Sequence, residues 1–341
     1  AVSFVTLMNS EELLPALTEA EGRPVAGMLE SALSVRIYRR SLAFANKTCF
    51  FLAAKDGDKM LGVVSNDKAV LDGFTGTSGQ VTIDGTGFAY KLCPLETANA
   101  DALRARLPYL RAVCLGLRKS VGCGDRLGLA TPGHVRAVRG TGMALIAAQQ
   151  SVRENSRTGR NPQQVMDEAM WGIFEEGWRE GFGGDADHLK TPQDTAPWIA
   201  AGFTFYTIDP GEHVDNDAEH ADVTALREKV ASLPWDVLES SPEDLVKRLT
   251  QPVDIGVETI TMTEEQVLRA AAKYGKAVAH TVRMYRHLAG EMGEDNFELE
   301  VSVDETATVT RIEEHIYIAN ELRRLGVKWV SLAPRYVGEF Q

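Results

Sequence analysis

No run of about 18 consecutive apolar residues occurs in this chain, so no transmembrane helix is expected. Cysteine is scarce. Cys49, Cys93, Cys114 and Cys123 show no CxxC spacing and no paired framework, so reduced thiols in a cytoplasmic protein are expected. Positive charge is also short: 36 Lys and Arg stand against 48 Asp and Glu, for a net charge of −12. No Lys/Arg-rich run compensates, which argues against nucleic acid as a partner, because neutralising phosphates needs a basic face. A GxGxxG turn between strand and helix is missing, and with it the usual nicotinamide fingerprint. The opening residues, Ala1 to Leu7, lack a basic start and a small-residue cleavage site, so no signal peptide is expected. Residue 1 is not methionine, and the chain stops at Gly338-Glu339-Phe340-Gln341, just after a strand-like run. A fragment missing its last part is the expectation.

What is present is ordinary in bulk: 341 residues, 44% apolar and 25% charged, as in a soluble globular protein. The pattern changes near residue 118. Residues 1–117 read as a small β-rich domain. Thr48–Ala54 and Met60–Val64 flank a Lys55-Asp56-Gly57-Asp58 turn, and Gln80–Asp84 and Phe88–Leu92 flank Gly85-Thr86-Gly87. A helix is expected over Ala100–Tyr109. No chemistry shows in this part, so a structural or oligomerising role is expected and a homo-oligomer stays open.

Residues 118–341 alternate strand, loop and helix. The strand candidates are Arg126–Ala130, Ala144–Gln149, Ala186–Lys190, Phe203–Ile208, Phe297–Val303 and Trp329–Ala333. Thr131-Pro132, Asn161-Pro162 and Ser241-Pro242 place a capping side chain before proline. Thr263 to Gln266 and Thr310 to Glu313 have capping-box form. This alternation predicts an α/β fold, a TIM-type (β/α) barrel with a β-rich N-terminal domain. Six strands are found where a closed barrel needs eight, so the barrel is expected to be incomplete, with its last strands missing.

The densest chemistry lies in Gly183-Gly184-Asp185-Ala186-Asp187-His188-Leu189-Lys190-Thr191. Neutral imidazole binds zinc or a similar divalent ion, and a neighbouring carboxylate can move protons. Buried charge at this density calls for pairing or a metal. His188 is the metal-ligand candidate and Asp187 the acid/base candidate. One difficulty stands: neighbours on an ideal strand point to opposite faces, so both reach one site only if the strand ends or twists there. Asp185 could orient a ligand or merely form a turn.

A second signal is Phe297 to Asp304, whose strict alternation puts Glu298, Glu300, Ser302 and Asp304 on one face. Glu300 is the favoured second metal ligand, with Asp304 and Glu305 nearer the rim, although a wet edge strand has the same pattern. Asp209 closes the Phe203–Ile208 run, as a second acid/base, a hydroxyl acceptor or a turn residue. His213 and Asp215 follow on a loop, either extending the site or simply solvated. Arg126, Lys190 and the helix start at Gly133 and His134 are candidates for an anionic group. His134 could instead ligate metal, and Arg126 could pair with Asp125. Trp171, Phe174 and Trp178 fall at helical spacing and read as packing. His280, His287 and His315 fall in helical segments and are expected to do no chemistry. Glu264–Leu288 reads as an amphipathic helix on the barrel exterior.

Several long runs resemble the tagaturonate epimerase family: Gly124 to His134, Asp185 to Thr191, Phe203 to Gly211, Glu300 to Thr306 and Leu332 to Arg335. The likeness starts near Val121. It implies a metal-dependent enzyme that interconverts D-tagaturonate and D-fructuronate. It also implies that related chains continue with a further histidine-containing segment, without which this chain could be inactive. The carbon inverted bears a hydroxyl β to the ketone, and the carbonyl does not acidify its C–H. Retro-aldol cleavage followed by re-addition is therefore the expected route, with a divalent Zn, Mn, Ni or Co ion polarising the ketone. Asp304 would help to hold the substrate. The adjacent Asp187-His188 also resembles class II aldolases, so a metal-dependent aldolase or lyase, or an inactive sugar-acid-binding fragment, is the alternative.

Overall fold

The computed structural model describes residues 3–338. The chain divides into two compact units, Ala1–Asp185 with Ala200–Phe203, and Ala186–Ile199 with Thr204–Gln341. The division falls inside one strand, Phe182–Leu189, which contributes its first half to one unit and its second half to the other.

The first unit begins with an antiparallel sheet. Its strands run in the order Arg36–Ile37, Thr48–Lys55, Asp58–Ser65, Thr86–Pro94, Thr77–Ile83, with Ala43–Ala45 beside Thr48–Lys55. Both expected hairpins form. Asp56-Gly57 and Asp84-Gly85 turn them, each pair at positive φ (53° and 94°, 52° and 76°), the backbone that two-residue hairpin turns require. The second turn thus sits one residue earlier than the glycine spacing suggested. Thr18 and Glu21 form a capping box on the helix Glu19–Leu33, and Val25, Ala26 and Leu29 pack into a core with Phe4, Phe44, Phe51 and Phe88. The helix expected over Ala100–Tyr109 runs from Thr97 to Arg106. Pro108 then opens a short 3-10 turn, because the residue before a proline disfavours helical backbone.

The same unit starts a parallel sheet. Ser120–Gly124 pairs in parallel with Ala144–Ser151, and the first half of Phe182–Leu189 follows. The expected strand Arg126–Ala130 is not one. The Asp125 carboxylate accepts the N–H groups of Leu127, Gly128 and Ala130, and Gly128 has φ 74°. These bonds wind the segment into a loop and leave Leu127 and Leu129 exposed, so the strand ends at Gly124 instead. Thr131 is likewise not a cap. The helix is Thr131–Val138, its N-cap is Ala130 without a side-chain bond, and Thr131 is buried. The helix Pro162–Glu175 does carry the Asn161–Gln164 capping box, and Trp171, Phe174 and Trp178 are buried as packing residues.

In the second unit the rest of Phe182–Leu189, then Phe205–Ile208, Glu298–Ser302 and Ser331–Ala333, lie side by side in chain order. The last three are parallel, with Thr207, Glu300 and Ser331 in register. The helix Glu264–Met292, capped by the Thr263–Gln266 box, has most of its length buried. Of its exposed residues, Glu265, Lys276, Arg283 and Gly290 fall on one narrow stripe, as an amphipathic helix requires. The capping box expected at Thr310–Glu313 does not form: the Thr310 hydroxyl accepts the Arg335 N–H, and one residue later Glu314 Oε2 accepts the Arg311 N–H at 2.9 Å, without a reciprocal bond because arginine has no acceptor. The fold is therefore α/β, with a parallel sheet whose strands follow chain order and an N-terminal antiparallel sheet. Among the described residues no helix is long and apolar enough to cross a membrane, and all four cysteines are free.

Candidate functional site

The second unit collects its chemistry at the C-terminal ends of three neighbouring strands, where open α/β sheets keep their reactive groups. The decisive local feature is His188, which has φ 58° although the strand runs on through Leu189. A non-glycine residue in that region is strained. The strain breaks the alternation that would have put Asp187 and His188 on opposite faces. It brings Asp187 Oδ1 to 2.7 Å from His188 Nδ1. Facing a carboxylate oxygen, Nδ1 donates its proton, and Nε2 is the ring nitrogen that a divalent ion would take by displacing its proton. This is how carboxylates orient metal-bound histidines.

The charge around the ring is strongly negative. The hydrogen bond to Asp187 raises the His188 pKa to about 9 against the opposing effect of burial, and the charges of Asp187, Asp209 and Asp304 add to the rise. Glu300 lies between Thr207 and Ser331 on adjacent strands. Burial pushes its carboxyl up from the ordinary carboxylate value, and the charges of Asp187 and Asp304 push the same way, while a Ser331 hydrogen bond and His188 oppose them. Ser302 Oγ donates to Asp304 Oδ1. The expected polar stripe is real, and Glu298 and Ser302 on it are buried.

Asp209 is buried at the end of its strand. Its N–H donates to the Leu189 carbonyl at 3.0 Å, its Oδ1 accepts the Gly211 N–H at 2.9 Å, and its Oδ2 is 3.9 Å from Lys190 Nζ. Lys190 Nζ also donates to Glu212 Oε1 at 3.1 Å. That bond, outweighing slight burial, raises the lysine pKa with help from Asp209, Glu212 and Glu305. The Lys190 head is about half exposed, so a substrate anion can compete for it.

One residue that sequence reasoning set aside, His280, lies here beside His213. His280 donates from Nε2 to the Lys190 carbonyl at 2.7 Å, and its ring stacks on His213 at 4.1 Å. Burial, then the His213 charge, lowers the His280 pKa, which favours the neutral ring, and the Lys190 carbonyl selects the Nε2–H tautomer. Nothing local announces this role, since His280 sits mid-helix and reaches Lys190 across 90 residues of chain.

The structure thus brings Asp187, His188, Lys190, Asp209, Glu300 and Asp304 together within the second unit. Arg126 and His134 lie in the first unit. Arg126 pairs with Glu154 at 3.4 Å, not with Asp125. The His134 N–H is taken by the Ala130 carbonyl at 3.0 Å, so it is not a free anion donor, although its buried Nδ1 has no partner. Asp185 is buried and accepts Gln149 Nε2 at 2.9 Å. Asp215 pairs with Lys229 at 2.6 Å. As donors, an imidazole with a carboxylate-fixed tautomer and the partly buried carboxyl of Glu300, whose pKa burial raises, suit a divalent ion by type. Among the described residues no three His, Cys, Asp or Glu groups converge closely enough to hold one.

A family model described as tagaturonate epimerase matches residues 38–341. A tagaturonate/fructuronate epimerase of Thermotoga maritima is 40% identical over 306 residues, which cover 89% of this chain and 61% of that protein. Crystal structures of a fructuronate-tagaturonate epimerase from Cohnella laeviribosi, native and glycerol-bound, superpose with a TM-score of 0.81 at 32% identity. They cover 95% of this chain and 63% of theirs. The chain therefore spans about three fifths of the length of the relatives it matches.

Proposed function

Because this chain belongs to the tagaturonate epimerase family, we propose that its second unit carries the site at which D-tagaturonate and D-fructuronate are interconverted. The observation that carries the proposal is the Asp187–His188 pair, built by a left-handed histidine at the mouth of a parallel sheet. We further propose that residues 118–341 form part of a TIM-type barrel. Parallel strands in chain order, joined by helices, support that reading.

In this proposal His188 Nε2 and Glu300 hold a divalent ion, which would polarise the substrate ketone. The chain's own residues then have distinct tasks. Lys190, drawn from Glu212, pairs with the substrate carboxylate, and Asp304 accepts a substrate hydroxyl. Asp187, hydrogen-bonded to His188, and Asp209 take and return the proton of the β-hydroxyl. Loss of that proton lets the bond between the α and β carbons break. Its electron pair passes to the ketone carbon framework as an enediolate, and the hydroxyl carbon becomes an aldehyde. Rotation of the aldehyde and re-addition from its other face restore the bond with inverted configuration, and the proton returns to the new alkoxide. The four free thiols fit a reducing, cytoplasmic setting for this chemistry.

The test is hexuronate interconversion by this chain before and after treatment with a strong chelator, then with Zn, Mn, Ni or Co added back. Turnover that disappears on chelation, returns with metal, and is absent from His188→Ala and Glu300→Gln supports the proposal. Turnover indifferent to the chelator refutes the metal site. A trapped free aldehyde accumulating as product would assign the site to an aldolase instead.

A further inference from the structure

We propose that a cleft in the first unit, away from the His188 cluster in chemistry and in sequence, binds a small phosphate-bearing anion. The cleft encloses about 660 Å³, a size that suits a small ligand. Its lining includes Tyr38, Arg39, Arg40, Arg136, Arg139 and Glu176. Four arginines in one concavity stand out in a chain with a net charge of −12.

Their arrangement is that of a floor and a rim. Glu175 and Glu176, at the C-terminal end of the helix Pro162–Glu175, form the floor, with side chains only 7% and 5% exposed. Arg40 Nη1 donates to Glu176 Oε2 at 2.9 Å, Arg136 Nε donates to Glu176 Oε1 at 2.8 Å, and Arg139 Nη2 donates to the Glu176 carbonyl at 2.6 Å. Each guanidinium has five N–H donors, and the floor engages only the inner ones. Arg40 and Arg136 remain 58% and 60% exposed, so their outer donors face the cleft. Arg39 is exposed and, among the described residues, has no acid partner. The lining's other acid, Glu19, is paired with Arg23 at 3.1 Å.

The rim is also held rigidly. Gly177 has φ 58°, and a Cβ there would lie 2.2 Å from the Arg40 carbonyl oxygen. The backbone of Arg40 is thus pressed against the end of the helix that carries the glutamates. Pre-fixed guanidinium forks match phosphate oxygens bidentately and lose little entropy on binding. A monocarboxylate would use one fork. A diphosphate can use several, which is why the phosphate class is favoured.

The experiment is isothermal titration of this chain with inorganic pyrophosphate at low ionic strength, with ADP as a second arm. Arg39→Ala is the informative variant, because Arg39 supports no floor carboxylate and its removal leaves the fold intact, as circular dichroism can verify. Arg118→Ala, an exposed arginine outside the cleft, is the control. Saturable one-to-one binding that weakens at least about tenfold in Arg39→Ala and stays unchanged in Arg118→Ala supports the site. ADP binding more tightly than pyrophosphate assigns the ligand to a nucleotide, and equal affinity assigns it to the diphosphate alone. No saturation at millimolar pyrophosphate, or equal binding by wild type and Arg39→Ala, overturns the proposal. None of these readouts depends on epimerase turnover, so the two readings fail separately.

Discussion

His188 adopts a backbone that costs a β-carbon-bearing residue about 1–3 kcal/mol, and the return is the 2.7 Å bond from Nδ1 to Asp187. Asp187→Asn keeps the size and the strained turn but removes the carboxylate that faces His188 Nδ1 and that, in the proposed reaction, would receive the proton. The expected result is a fall in kcat of about 10²–10⁴-fold with KM changed only a few-fold, measured by steady-state kinetics. An unchanged kcat would show that Asp187 handles no proton. His280→Gln should act differently: an amide can still donate to the Lys190 carbonyl, so we expect KM for the hexuronate to move more than kcat. The adjacency of Asp187 and His188 was legible because a carboxylate next to an imidazole is a chemical signal in any backbone. The positive φ was not, since neither residue type demands it. His280 was invisible for a different reason: its partner is a carbonyl, and every residue has one.

At the level of elements, the long helix Glu264–Met292 holds two loops through one side chain. Lys273 is fully buried. Its Nζ donates to Thr308 Oγ1 at 2.7 Å, Glu314 Oε1 at 3.1 Å and Glu219 Oε2 at 3.3 Å, and its carbonyl accepts the Asp215 N–H at 2.9 Å. The loops after Asp209 and after Asp304 are thereby tied to a single point. Lys273→Met would leave the buried Glu314 without its cation and Glu219 with Arg311 alone, at a cost of about 3–5 kcal/mol, readable as a shifted urea midpoint. The pH dependence follows. Burial alone would raise the Glu219 carboxyl, but Lys273 and Arg311 outweigh it and hold the pKa below 4.5. A depressed carboxylate stabilises the fold above its unfolded pKa, and that contribution is lost as pH falls through the folded value. Wild type should therefore lose stability below about pH 4.5, and Lys273→Met should show a flatter acid limb. The caps at Asn161, Ser241 and Thr263 were legible because a side chain three residues from its partner settles them locally. Arg126–Ala130 misled because apolar alternation imitates a strand, whereas the Asp125 carboxylate that winds it into a loop acts through backbone N–H groups.

For the molecule as a whole, strand–helix alternation was enough to give a parallel α/β sheet, because the period of apolar residues survives averaging over the chain. The convergence of groups from residues 187, 209, 300 and 304 was only partly legible, as it depends on which strands become neighbours. Net charge is the one global quantity read directly from sequence, and it makes a prediction of its own. A chain at −12 repels an anionic hexuronate over distances set by the Debye length, about 30 Å at 0.01 M salt and about 8 Å at 0.15 M. The proposed contact of Lys190 with the substrate carboxylate would act at hydrogen-bond range and be screened far less. Adding inert salt across that interval should therefore raise kcat/KM for the hexuronate by about threefold, mostly through KM. A neutral hexulose lacking the carboxylate should show no such trend. A decrease with salt would mean that local cations, not the summed charge, govern approach to the site, and Lys190→Met would then abolish the salt dependence.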